Sequence, residues 1–289
     1  MSDVLVRGIL NGEVAVCACD VTAMVEQART IHNTLPVGTI ALGRTLAAGT
    51  MLSSMLKSEH DKFTLMVNGG GPAGTIMVTG NEALEMKAYI ANPFVNPPPN
   101  EKGGFNIAEA VGKEGFITVI RDYGLKEPYV GKTEMVSGEI GEDIANYLLV
   151  SEQQPSVVYV HTWLEEDMSV VSAGGVIVRP LPNCSEETLQ QIETHYGDIY
   201  NYSVYLLPSN VRDVLKKIFC DMELTFLDEQ HPVWRCDCNK ERLTEVVASL
   251  GRQEIEDMIK QDQGAEITCR FCNKEYRFSA EELQKLLEQ

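Results

Sequence analysis

Apolar positions in the first part of the chain recur at every second residue, then at every third or fourth, and the two periods alternate. Val4-Leu5-Val6-Arg7-Gly8-Ile9-Leu10 and Val14-Ala15-Val16-Cys17-Ala18-Cys19 are β-rich runs flanking Asn11-Gly12. That dipeptide suits a two-residue hairpin turn, in which both central positions need positive φ. The spacing then predicts helices over residues 22–33 and 36–57. The second contains Ala41, Gly43, Ala47, Ala48 and Gly49, small residues suited to a close-packed buried helix, and Met51, Met55 and Leu56 extend its core face. Strands are predicted at 63–67, 75–78, 86–90, 115–120, 157–160 and 170–178, with a helix over 138–153 and an extended connector at Pro97-Pro98-Pro99-Asn100. Residues 1–180 therefore read as an α+β domain, a mixed and mostly antiparallel sheet with helices packed on it.

Beyond Leu181-Pro182-Asn183 the helical period takes over. Ser185-Glu186-Glu187-Thr188 is a capped helix start, followed by Leu189, Ile192 and Tyr196 on one face. A run from Ile199 to Leu207 stops at Pro208, and a second capped helix is predicted from Ser209, with Val211, Val214, Leu215, Ile218 and Phe219 as its apolar positions. Residues 181–230 have apolar faces but no core of their own, so they read as a metastable helical linker lying on the first domain. In residues 231–289 helical patterns at Leu243, Val246, Val247, Leu250 and at Ile255, Met258, Ile259 flank Gly251 and stop near Gly264. Glu266-Ile267-Thr268 and Tyr276-Arg277-Phe278 predict a short hairpin, and Ser279-Ala280-Glu281-Glu282 a capping box for the last helix. So few large apolar side chains cannot close a stable core unaided.

Composition narrows the classes. The 289 residues are 44% apolar, enough for a large core, and carry a formal net charge of −18. No run approaches the roughly 18 apolar residues of a membrane span, and the first residues lack a basic-then-apolar leader, so a cytoplasmic protein with no membrane partner is expected. From Glu229 onward 9 Lys+Arg stand against 13 Asp+Glu, a net −4. A nucleic-acid-binding zinc module needs a basic face, so no nucleic-acid partner is expected. Asn68-Gly69-Gly70-Gly71-Pro72-Ala73-Gly74 has the outline of a phosphate loop, but Thr75-Ile76 replace the Lys-Ser/Thr pair and a strand follows. His32, His60 and His161 are scattered, without a nucleophile context, and no enzymatic activity is expected.

Cysteine supplies the chemistry. Cys236-x-Cys238 and Cys269-x-x-Cys272 form two tight pairs separated by a segment long enough for helices, the pattern of a four-thiolate tetrahedral zinc site. Asn273 suits the left-handed turn of a metal knuckle. Inert structural zinc, a redox-switching site and a pair of disulfides all share this spacing. Cys17, Cys19, Cys184 and Cys220 are expected to be small core residues, with Cys17 and Cys19 on one side of a strand.

His231-Pro232-x-x-x-Cys236-x-Cys238-x-x-Glu241-Arg242 and Cys269-x-Phe271-Cys272-x-x-x-Tyr276-x-Phe278, with Ser137-Gly138-Glu139-Ile140, Ser151-Glu152-Gln153-Gln154-Pro155-Ser156 and Ala173-Gly174-Gly175, closely resemble the thirty-three-kilodalton redox-regulated heat-shock chaperone family. The resemblance runs nearly end to end. It implies an ATP-independent holdase, inactive when reduced and bound to one zinc ion per chain, and active when oxidised. It makes Cys236, Cys238, Cys269 and Cys272 both zinc ligands and redox-active thiols. Unfolded or oxidatively damaged client proteins are the implied partners, with a homodimer of the oxidised form left open. The faces carrying Leu189, Ile192, Tyr196, Val211, Val214, Leu215, Ile218 and Phe219 become candidates for client binding once the zinc module, residues 231–289, unfolds. Disulfides Cys236–Cys238 and Cys269–Cys272 are expected, because loop closure costs least entropy between near neighbours. A zinc-stabilised adaptor that binds a folded partner through the linker helices is the alternative, and a thiol–disulfide exchange enzyme the third reading.

Overall fold

The structure, a computed structural model, describes residues 2–287. β1 (Val4–Leu10) and β2 (Val14–Asp20) form the expected hairpin. Asn11 and Gly12 take positive φ, 49° and 69°, but Leu10 pairs with Val14, so Glu13 joins the turn and the loop has three residues. α1 (Thr22–His32) begins after Val21, which has no side chain able to cap it. The Asp3 carboxylate takes over that task, accepting the N–H groups of Ala23 and Met24 at 2.8 Å each and opposing the helix dipole. Burial pushes this carboxyl up to about 6, against the two N–H donors.

α2 (Pro36–Ser53) is buried at sixteen of its eighteen positions, as its small residues predict. A Cβ at Gly43 would lie 2.4 Å from Thr162 Oγ1, and one at Gly49 2.7 Å from Val78 Cγ1. The two glycines therefore let one helix touch two different sheets. It ends four residues earlier than predicted because Met55 and Leu56 turn back to carbonyls three residues behind, while the Ser54 hydroxyl bonds the Met51 carbonyl.

The N-terminal region continues through β3 (Lys62–Asn68), β4 (Ile76–Asn81), β5 (Glu85–Ile90), α3 (Ile107–Val111), β6 (Phe116–Asp122), β7 (Tyr129–Glu134), α4 (Gly141–Val150), β8 (Val157–Leu164) and β9 (Val170–Pro180). The mixed, mostly antiparallel α+β architecture is as expected. β7 has no counterpart in the sequence reading: of its six residues only Gly131 and Thr133 are buried, so this strand lacks apolar alternation. The chain then forms α5 (Glu186–Thr194), α6 (Tyr196–Tyr200), α7 (Tyr202–Leu206), α8 (Val211–Ile218), β10 (Leu224–Gln230) and β11 (Val233–Trp234).

Two sheets result, ordered β10-β1-β2-β9-β8 and β11-β5-β4-β3-β6-β7, antiparallel throughout except where β11 joins β5 in parallel. One core, with Leu5, Leu42, Leu46, Met51, Phe63, Leu65 and Tyr147, lies between the sheets around α2. A second covers the other face of the first sheet, where Val6, Val16, Val176 and Val178 meet Ile192, Ile199, Tyr202, Val214, Leu215 and Phe219. By its contacts the chain divides after Trp234, so residues 181–230 share one compact unit with the sheets. They are also not helical throughout. Leu224 and Phe226 alternate inward along β10, which pairs with β1 as an edge strand, a period of two that the helical reading passed over.

Residues from Arg235 form the second unit: α9 (Lys240–Ser249), α10 (Arg252–Asp262), the hairpin β12 (Gly264–Thr268) and β13 (Glu275–Ser279), and α11 (Ala280–Leu287). The capping box forms as predicted, with Ser279 N–H donating to Glu282 at 2.9 Å and Glu282 N–H to Ser279 Oγ at 3.2 Å. Among the described residues five side chains make its buried core: Val247, Ile255, Tyr276, Phe278 and Leu283. Among the described residues no helix is long and apolar enough to cross a membrane.

His161 on β8 faces α7, 6.0 Å from the Tyr202 ring, with Nε2 at 2.9 Å from Ser172 Oγ and Nδ1 buried without a hydrogen-bond partner among the described residues. Burial, reinforced by the Arg44 charge, pushes this imidazole from 6.5 down to about 3. The folded pKa is the lower one, so its contribution is complete above about 6.5 and is lost as pH falls from there toward 3. His161→Gln should remove about 2 kcal/mol of the stability lost between pH 7 and pH 5. Urea midpoints across that window check this. Parallel pH profiles for the two proteins would show that His161 does not set the slope.

Candidate metal centre

β12 and β13 are short, and the turn between them is where the sequence places Cys269 and Cys272. Asn273 takes a φ of 56° there, its N–H donates to the Cys269 carbonyl at 2.8 Å, and the Cys269 N–H bonds the Lys274 carbonyl at 2.9 Å. This is the left-handed knuckle that Asn273 predicts. Opposite it, Cys236 and Cys238 precede α9, whose N-cap Asn239 accepts the Arg242 N–H at 2.8 Å. Helix capping therefore fixes one cysteine pair and the hairpin turn the other.

The four sulfurs lie within 4.8 Å of one another. Cys236 Sγ is 3.7 Å from Cys269 Sγ, and Cys238 Sγ is 3.4 Å from Cys272 Sγ. Four thiolates held at about 2.3 Å around a tetrahedral ion stand roughly 3.8 Å apart, so the donor set and its spacing fit a four-thiolate metal ion. Burial pushes the Cys236 and Cys272 thiols up, while backbone N–H groups of Cys238 and Lys274 act in the opposite sense. Burial also acts upward on Cys238, but hydrogen bonds from the Tyr276 hydroxyl and the other three thiols outweigh it and hold Cys238 at about 7. Tyr276 donates to Cys238 Sγ at 3.1 Å and lies 2.9 Å from the Cys238 carbonyl oxygen. Its role is not legible from cysteine spacing. The signal was the Tyr276-Arg277-Phe278 alternation, which turns Tyr276 and Phe278 to the same buried side.

The family model described as Hsp33 protein matches residues 3–279. The chain belongs to the Hsp33 family. A 33 kDa chaperonin of Alkaliphilus metalliredigens is 40% identical over 291 residues, covering all of both chains. One from Clostridium perfringens is 39% identical, covering all of this chain and 92% of that one. The crystal structure of the 33 kDa chaperonin from Thermotoga maritima superposes with a TM-score of 0.90 at 32% identity, covering 99% of this chain and 98% of the other. Hsp33 proteins are named as chaperones, and the four-cysteine cluster fits that family.

The remaining sequence-predicted positions of this Hsp33 chain fall in two groups. Ile192, Val211, Val214, Leu215, Ile218 and Phe219 are buried against the outer face of the first sheet, and Leu189 is half-buried. Tyr196 departs from the predicted face. α5 ends at Thr194, the chain bends at His195, and Tyr196 opens α6 with 50% of its surface exposed. The cap of α8 is Asn210, whose side chain accepts the Asp213 N–H at 3.0 Å, rather than Ser209. Cys17 and Cys19 are core residues on one side of β2, as expected. Cys184 is half-buried and packs against the second core, whereas Cys220 is exposed, against expectation, because it lies past the end of α8 in the turn toward β10.

Proposed function

We propose that this chain is a redox-regulated, ATP-independent holdase of the cytoplasm that binds unfolding or oxidatively damaged proteins. It is quiet when reduced and bound to one zinc ion, and active when its four cysteines are oxidised. The observation that carries this reading is the meeting of all four thiols in one cluster, inside a unit with five buried core side chains among the described residues. Bound zinc keeps the cysteines as thiolates, the form that attacks peroxide or hypochlorous acid. Forming each disulfide removes two electrons from two thiolates; hydrogen peroxide accepts them and, with two protons from solvent, leaves as two water molecules. Oxidation of Cys236, Cys238, Cys269 and Cys272 thus removes every ligand of the metal and, with it, most of what folds residues 235–287.

Domain roles follow as part of the same proposal: 1–180 the stable body, 181–230 the switching segment, 231–289 the sensor. α8 alone buries Val211, Val214, Leu215 and Ile218, with Phe219 beside them, each worth about 1.5–3 kcal/mol when docked. Undocked, those side chains and Leu189, Ile192 and Tyr196 form an apolar surface suited to unfolded clients. The two sulfur contacts cross between the cysteine pairs, as a tetrahedron of sulfurs allows. Pairing is then decided by chain connectivity, which favours Cys236–Cys238 and Cys269–Cys272. A homodimer of the oxidised form would share the exposed faces.

One experiment on the zinc-loaded full chain tests the switch. After peroxide treatment, hydrogen exchange should rise throughout residues 185–226 while β3 and β6 stay protected, and non-reducing digestion should yield the two neighbour-paired peptides. Unchanged exchange in 185–226 would rule out this segment as the switch, and crossed pairs as the main product would overturn the pairing.

A further inference from the structure

A cleft of about 240 Å³ opens on the first sheet beside the end of α2 and has no part in the metal centre. Three cations line it: Arg7 from β1, Arg179 from β9 and Lys57 from the turn after α2. Residues 1–234 hold 15 Lys+Arg against 30 Asp+Glu, so three cations around one small cleft run against the charge of their surroundings. Arg7 is spent internally. Its guanidinium grips the Asp228 carboxylate in a fork and donates to the Ser54 carbonyl at 2.8 Å. Among the described residues Arg179 has only neutral partners, Gln154 Oε1 at 2.7 Å and Met55 Sδ at 3.6 Å, and the Lys57 ammonium has no ion-pair partner, although its backbone N–H donates to Asp61 at 3.1 Å. Two positive charges therefore face a cleft that no carboxylate lines among the described residues.

The rest of the wall is apolar. Ile177, Met55 and Leu227 line it, with Cys17 beside them, while Val16 turns its side chain into the core on the other face of the sheet. Burial pushes the Cys17 thiol up to about 11, so it is a protonated wall and not a nucleophile. Leu227 has a particular origin. Arg7 pairs with Asp228 and Gly8 with Phe226, which leaves Leu227 as the extra residue of a β-bulge, 59% exposed at the cleft. Bulges re-aim side chains in this way.

We propose that this cleft binds a small amphiphilic carboxylate, its head on Arg179 and Lys57 and its apolar body against Ile177, Met55 and Leu227. A guanidinium fork matches a carboxylate, and the volume admits a body of about eight to twelve carbons, below the usual drug-sized range. The bound molecule would join α2 and β9 to β10, clamping the strand that ends the proposed switching segment. That consequence for activation rests on the redox reading; the binding itself does not.

Titration calorimetry of the reduced, zinc-loaded full chain with octanoate, octanol and inorganic phosphate tests the site. Octanoate should bind at least tenfold more tightly than either comparator, and should slow hydrogen exchange in Leu224–Gln230. Arg179→Met and Lys57→Gln should each weaken octanoate at least fivefold, and Lys57 is exposed, so that variant does not threaten the fold. Octanol equal to octanoate would show that the cations play no part, and phosphate equal to octanoate that the apolar wall plays none. Either result, or unchanged binding by both variants, overturns the proposal.

Discussion

Replacing Cys272 by serine should unfold residues 235–287 while the first unit keeps its structure. The core of that unit is Val247, Ile255, Tyr276, Phe278 and Leu283, with partly buried neighbours such as Leu243, Met258 and Ile259 around it. Apolar burial on this scale roughly balances the conformational entropy of ordering so short a chain, which leaves metal binding as the decisive contribution. Apparent binding energies at structural four-ligand zinc sites are of order 10–16 kcal/mol, and one thiolate of four cannot be lost without forfeiting much of that. Around the cysteines themselves the non-metal support is the Asn239 cap of α9, two backbone bonds of the knuckle and the Tyr276 bonds to Cys238, each worth only about 0.5–1.5 kcal/mol net. Metal analysis with hydrogen exchange over residues 235–287 measures the effect, and chelation of the unaltered protein should reproduce it. Full metal affinity in the Cys272→Ser variant, or a protected second unit after chelation, would contradict the assignment.

The largest effect expected in the first unit is at Asp143, near the start of α4. Its fully buried carboxylate accepts five hydrogen bonds: Val136 N–H at 2.7 Å, Ser137 N–H at 2.9 Å, Ser137 Oγ at 3.2 Å, Gly138 N–H at 2.9 Å and Ile140 N–H at 3.0 Å. It gathers the chain between β7 and α4 around one point and holds Ile140 at a φ of 70°, a conformation costly for a β-branched residue. The negative charge also sits at a helix N-terminus, where the dipole favours it. Asp143→Ala leaves several backbone donors unpaired, two of them in buried bonds, and should destabilise the unit by about 3–5 kcal/mol. Urea denaturation followed by a first-unit probe such as Tyr147 measures it. A loss below about 1 kcal/mol would mean that water replaces the carboxylate without cost.

How much of this was legible in the sequence depended on whether a signal was local. The hairpin at Asn11-Gly12, the buried α2, the capping box at Ser279 and the knuckle at Asn273 follow from residues a few positions apart, and each is present. The four thiols were legible because metal ligation constrains spacing. What escaped came from partners distant in the chain. β7 lacks alternation of its own. β10 was hidden by the helical pattern before it, and only its pairing with β1 reveals it. The Asp3 cap on α1 reaches across twenty residues, and Tyr196 left the predicted face because the chain bends at His195. The cleft beside Leu227 brings together residues of β1, β9 and β10 and exists only once those strands have paired.

The proposed switch makes oxidation, metal loss and client holding one event. The direct measurement follows light scattering of a thermally unfolding client beside the reduced, zinc-loaded chain and beside the same chain after peroxide, with released zinc quantified in each sample. The account predicts little suppression of aggregation by the reduced chain, strong suppression by the oxidised chain, and about one zinc released per chain as suppression appears. Equal suppression by both forms, or complete zinc release without any gain in suppression, would contradict it.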